Sequence, residues 1–258
     1  MKKEFGLALL ALFFLSLNAI TGAYAVENEN KDKNIKKINT IIKQEVDVSG
    51  DGKPDTIEIK GIRYEEGSSY FKDIYLEIIA TNGQTYKTRL DSGFDPTLEF
   101  VDLNQDGLAD MFISIPTGGS GGISNYFLYT LKDFQLKEIG APDPLMITSE
   151  FQDDYKAIIT IDNTGESVTF DVMSRKKEYE RLGLYQKGKL NEPRELMVDP
   201  YSTLKPVIIK NDSNGLKGVQ QISGAYHADG IAFIESTWYY ENEKWNLIRT
   251  KVIEREQN

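Results

Sequence analysis

Two nine-residue stretches, Asp47-Val48-Ser49-Gly50-Asp51-Gly52-Lys53-Pro54-Asp55 and Asp102-Leu103-Asn104-Gln105-Asp106-Gly107-Leu108-Ala109-Asp110, share one template. Oxygen-bearing side chains stand at positions 1, 3, 5 and 9, and glycine stands at position 6. A backbone that turns alternate side chains inward over so short a span must reverse sharply, which Gly52 and Gly107 permit. Each stretch then enters a strand-like run, Thr56-Ile57-Glu58-Ile59-Lys60 in one case and Met111-Phe112-Ile113-Ser114-Ile115 in the other. Tight loops feeding short strands are the strongest constraint on what this chain can fold into.

The rest of the sequence agrees with that constraint. Asp73–Ile78 alternates apolar with polar residues, the period of a half-buried strand. Asn82-Gly83 between two such runs is a strong hairpin signal. Further hairpins are expected at Ile158–Ile161 with Val168–Val172, around Lys187-Gly188, and between Ser236–Tyr240 and Trp245–Arg249. Only Ser174–Leu182 reads as a helix of any weight, and a short one is expected over Lys36–Gln44. The two acidic stretches begin 55 residues apart, and a degraded third copy is legible at 210–218. Regular spacing of that kind suggests repetition. The expected fold is mostly β, made of repeat-built antiparallel sheets in a propeller-like or sandwich-like arrangement.

The loop chemistry points to calcium, a hard cation that takes six to eight oxygens at about 2.3–2.6 Å. The expected ligands are Asp47, Ser49, Asp51 and Asp55 in the first loop and Asp102, Asn104, Asp106 and Asp110 in the second. Position 7 (Lys53, Leu108) would give its carbonyl. A helix-loop-helix hand is excluded, because strands come after both loops and position 12 is Glu58 in one and Ile113 in the other. In the third copy Lys210 would place an ammonium where a cation must sit, so no metal is expected there.

Residues 1–25 read as a cleavable export signal. Lys2 and Lys3 precede an apolar run ending at Leu17, and Ala23-Tyr24-Ala25 supplies the small-x-small cleavage pattern. The mature protein is then expected to begin at Val26, secreted or held at the cell surface, with a polar linker over 26–44. The β domain would span 45–258, with a sub-boundary near 140–150. No other apolar run is long enough for a transmembrane helix. The formal net charge of −10 becomes −11 once a segment bearing Lys2, Lys3 and Glu4 is removed. Such a surface repels phosphate backbones, so nucleic acid is not an expected partner. There is no cysteine, so no disulfide can contribute.

DVSGDGKPDTIEI and FVDLNQDGLADMFISI resemble the FG-GAP/VCBS type of repeat. The stretch Pro116–Gly122 with Asn125-Tyr126 looks like that of exported Bacillus-type proteins carrying such repeats. The resemblance implies a calcium-bearing β fold with a non-catalytic role.

Other features carry less. Thr117–Gly122 is glycine-rich but lacks the ending of a phosphate-binding loop. His227 has Ser223, Asp229 and Ser236 nearby, but no nucleophile elbow accompanies them. Trp238-Tyr239-Tyr240 with Trp245 forms an aromatic hairpin that suits either core packing or stacking on sugar rings. The leading expectation is a secreted, calcium-binding β-repeat protein with a binding or structural role toward a wall or matrix glycan or another exported protein. The alternative is an exported hydrolase of wall or matrix polysaccharide with calcium as a structural ion.

Overall fold

The computed structural model describes residues 38–119, 121–209 and 212–255. The expected export signal at 1–25 and the part of the expected linker at 26–37 lie outside the described residues. Those described are mostly β, arranged in separate open sheets.

The first sheet runs β1 (Ile38–Val46), β2 (Asp55–Arg63), β3 (Tyr70–Ile79) and β4 (Thr85–Leu90), with the short β5 (Gly93–Phe94) added beside β3. The second repeats that order with β6 (Thr97–Val101), β7 (Asp110–Pro116), β8 (Ser124–Thr130) and β9 (Lys137–Glu138). In both, an acidic loop joins the first strand to the second. Next comes a three-stranded sheet, β10 (Ile147–Gln152), β11 (Lys156–Ile161) and β12 (Glu166–Asp171). Helix α1 (Lys176–Arg181) leads to the hairpin of β13 (Tyr185–Gln186) and β14 (Lys189–Leu190). The last sheet is a meander of β15 (Met197–Ile208), β16 (Asn214–Ser223), β17 (Gly230–Glu241) and β18 (Lys244–Glu254).

The hairpins expected from Asn82-Gly83, Asp162–Glu166, Lys187-Gly188 and Glu241–Lys244 all form. Two expectations fail. Residues 38–44, read as linker and short helix, are strand β1. Its Ile41, Ile42 and Val46 pack against the core beside Ile57 and Ile59. Its apolar side chains reach that core only because β2 lies beside it, so tertiary pairing overrides a weak local pattern. The third acidic copy is not a nine-residue loop. Ile209 N–H donates to the Ser213 carbonyl at 2.8 Å, and Gly215 and Gly218 sit inside β16 opposite Val207 and Leu204. Gly218 serves close packing, since a Cβ there would lie 2.3 Å from the Tyr201 ring.

Strand β7 organises the interior. Successive strand residues face opposite sides. Met111, Ile113 and Ile115 enter a core shared with Ile57, Ile59 and Leu76, while Phe112 enters a second core with Leu128, Ile159 and Leu216. A strand buried on both faces reads as a nearly continuous apolar run, and Met111-Phe112-Ile113-Ser114-Ile115, interrupted only by Ser114, lies directly after the second acidic loop.

Candidate functional site

The two acidic loops adopt the same internal hydrogen-bond framework. At position 1, Asp47 Oδ2 accepts from Gly52 N–H and Asp102 Oδ2 accepts from Gly107 N–H, each at 2.9 Å. At position 5, Asp51 Oδ1 accepts from Lys53 N–H at 2.9 Å, and Asp106 Oδ1 from Leu108 N–H at 3.0 Å. At position 9, Asp55 Oδ2 accepts from Val48 and Ser49 N–H, and Asp110 Oδ2 from Leu103 and Asn104 N–H. The position-6 glycines lie at φ of +82° and +88°, in the left-handed region. The template legible in sequence is thus one backbone clasp used twice, closed by a carboxylate with no solvent exposure at Asp55 and Asp110.

The carboxylates are spread along this clasp. Among the described residues no three or more carboxylate or imidazole side chains are gathered about one point. Carboxylate oxygens that accept one N–H keep a second lone pair, so a cation would use those remaining pairs. Each loop also has a buried hydroxyl without a hydrogen-bond partner among the described residues, Ser49 Oγ in the first and Thr130 Oγ1 beside the second.

The loops differ in how well their charge is compensated. In the first, Asp51 Oδ2 accepts from the Thr81 hydroxyl at 2.7 Å and Asp55 Oδ1 from Thr81 N–H at 2.9 Å. The Thr81 hydroxyl, joined by Lys53 N–H, holds the Asp51 carboxyl below its ordinary range. In the second, burial pushes the Asp110 carboxyl from an ordinary 3.8 up to about 6, and the Asp106 charge adds to the rise. The N–H groups of Leu103 and Asn104 pull the other way without cancelling it. Thr130 Oγ1 also lies close enough to favour the carboxylate, yet makes no hydrogen bond of ordinary geometry. Asn104 Nδ2 donates to Asp110 Oδ1 at 3.0 Å and to Asp106 Oδ2 at 3.2 Å. Lys132 Nζ stands 3.7 Å from Asp106 Oδ2.

The second loop is also a junction. A Cβ on Gly50 would meet Leu108 Cδ1 at 2.9 Å, so the two loops touch where a side chain would fit only if Leu108 moved. Asn214 Nδ2 donates to the Asp102 carbonyl at 3.1 Å, while Gln105 Nε2 donates to the Asn214 carbonyl at 2.9 Å. That reciprocal amide pair ties the loop to the start of β16. Three of the four larger sheets therefore meet at Asp102–Asp110.

Beside it opens a cleft of about 510 Å³. Asn104, Asp106, Thr130 and Lys132 form one wall; Tyr240, Asn242 and Glu243, from the β17–β18 hairpin, form the other. Sequence reasoning did not find this cleft, because its walls lie more than a hundred residues apart in the chain. Trp238 is buried and donates to Ser236 Oγ, whereas Tyr240 packs edge-on to Trp245 with centroids 5.2 Å apart. The aromatic hairpin thus divides, with Trp238 in the core and Tyr240 on the cleft.

The residues around His227 do not assemble into a triad. Asp229 accepts from Arg175 Nε at 2.7 Å, from Tyr179 Oη at 2.6 Å and from Ala225 N–H, while Ser236 is taken by Trp238. Ser223 Oγ donates to the His227 carbonyl at 3.0 Å. The carboxylate facing His227 Nδ1 is instead Asp199, at 3.3 Å.

Residues 145–253 match the family model described as YybI C-terminal domain. Over 222 residues the chain is 27% identical to "Uncharacterized protein YybI" of Bacillus subtilis (strain 168), covering 82% of this chain and 84% of that one. No solved structure matches. These matches overturn the FG-GAP/VCBS resemblance: no repeat family of that type matches, and the family found lies over the C-terminal sheets rather than over the acidic loops. The short Asp/Gly template that carried the resemblance is common in tight turns generally. It specifies a local clasp and not a repeat family.

Proposed function

We propose that this chain is an exported, calcium-stabilised β protein with a binding or structural role at the cell surface. The observation that carries the reading is the second loop, where a fully buried Asp110 carboxylate has its proton affinity raised at a point where three sheets meet. A divalent ion at Asp102, Asn104, Asp106 and Asp110 would relieve that charge and lock the junction. Asn104 would turn its amide so that oxygen faces the ion, displacing the donor it now presents. The first loop is the weaker site. It has serine at position 3, and Thr81 already holds Asp51 and Asp55.

Extracellular modules bind calcium at about 10⁻⁴–10⁻³ M, so outside the cell the site would fill while in the cytoplasm it would stay empty. Folding would then be completed on arrival outside. Thermal unfolding of the full chain tests this. Millimolar calcium should raise the midpoint above that in chelator, and Asp106→Ala should abolish the difference. Equal midpoints for the unmodified chain would rule calcium out as a stabiliser of this fold.

A further inference from the structure

We infer that the cleft between the second acidic loop and the β17–β18 hairpin binds a neutral saccharide. This rests on the binding role proposed above but not on calcium.

The lining chemistry sets the ligand class. Gln135 and Asn242 present amides, which both donate and accept, and Glu243 presents a carboxylate. Adjacent hydroxyls on a sugar ring are matched by such alternating donors and acceptors. Tyr240, half-buried and braced by Trp245, gives an aromatic flank against which a ring's C–H face can lie. The volume is within the range of small-molecule sites.

Other ligand classes fit less well. The two ammonium groups, Lys132 and Lys137, already face Asp106 and Glu243, and the Asp133 carboxylate is a further negative group in the lining. A phosphate would thus meet more like charge than free positive charge. An apolar ligand would find only Ile139 and the Tyr240 ring among the lining residues.

The backbone at the rim sharpens the inference. Asn242 and Glu243 lie at φ of 53° and 59°, the two-residue turn that favours Asn with Gly after it. Glutamate at the second position sacrifices turn stability and places a carboxylate on the rim. Across the cleft, Asp133 and Phe134 also have left-handed backbones, at 52° and 58°. Left-handed non-glycine residues are disfavoured and collect at ligand sites.

That conflict gives the test. Saturation-transfer NMR on the full chain would use glucose, N-acetylglucosamine and their trisaccharides, with inorganic phosphate as a separate arm, in calcium and again in chelator. Saturation of sugar ring protons is expected from at least one member of the panel. Glu243→Gly should keep or raise the unfolding midpoint yet weaken that binding about tenfold, the loss of one charged hydrogen bond. Gln135→Ala should weaken it too, and Lys205→Ala, at an exposed position of β15 outside the cleft lining, should leave it unchanged. Binding in chelator equal to that in calcium is the result expected of a cleft that does not depend on the metal. No saturation by any sugar, binding of phosphate alone, or full binding by Glu243→Gly would each overturn the inference.

Discussion

Replacing Asp110 with asparagine should remove a loss of stability that the metal-free protein suffers as pH rises. The Asp110 carboxyl titrates at about 6 when folded against an ordinary 3.8, a gap equivalent to about 3 kcal/mol. Because the folded value is the higher one, the folded chain binds more protons than the unfolded chain between those two pH values. Stability from this group is therefore fully present below about 3.8 and is lost as pH rises through about 6. Asparagine has the same shape and keeps an oxygen for the N–H groups of Leu103 and Asn104, but carries no charge at any pH. Urea unfolding in chelator at a series of pH values from 4 to 8 would give the difference between the two proteins. Relative to Asp110→Asn, the unmodified chain should lose up to about 3 kcal/mol across that range. Taking the difference removes the opposite trend of Asp51, Asp153, Asp171, Glu178 and Glu180, whose carboxyls are all held low by hydrogen bonds. Calcium at about 100 times its Kd should return about 2.7 kcal/mol to the unmodified chain and none to the variant. A difference that is flat with pH, or that grows as pH rises, would show that Asp110 is not an uncompensated buried charge.

Three further outcomes are expected. Gly50→Ala should destabilise by about 1–3 kcal/mol, because it combines a left-handed backbone with a contact on Leu108; adding Leu108→Ala should recover part of the loss, and strictly additive effects in a double-mutant cycle would show that the loops do not touch. Asp229→Ala leaves the Arg175 side chain, 16% exposed, without its charge partner and with only the Gly230 carbonyl among the described residues to accept from it, and should lose about 3–5 kcal/mol by urea unfolding; a loss below about 1 kcal/mol would mean that Arg175 reaches water. Mass spectrometry of the chain recovered from culture medium should find Val26 at its start, and recovery of Met1 would contradict cleavable export.

The fold was legible where local pattern and tertiary need agreed. Strand β7 declared itself as a mostly apolar run, broken only at Ser114, because it faces two cores, and the Asn82-Gly83 turn declared itself because its backbone demands those residues. Strand β1 did not, since Ile41 and Ile42 become core residues only once β2 is beside them, and Lys43, Gln44 and Glu45 face solvent. The loop positions were legible in the sequence, but as calcium ligands; that Asp47, Asp51 and Asp55, and likewise Asp102, Asp106 and Asp110, accept the loop's own N–H groups was not foreseen. The partners of the clasp were not legible, because Thr81, Thr130 and Asn214 arrive from other hairpins and carry no mark in the sequence. The same holds for the Asp199–His227 pair, where the neighbouring Asp229 is already engaged by Arg175 and Tyr179.

The proposed role stands or falls on a hard divalent cation locking the second acidic loop where three sheets join. Calorimetric titration of calcium into the full chain reads that binding without an intermediary. The expected result is saturable binding that survives Asp51→Ala and disappears in Asp106→Ala. Absence of binding heat up to about 10 mM calcium, roughly ten times the weakest affinity expected of such a site, or binding that Asp106→Ala leaves intact, would contradict it.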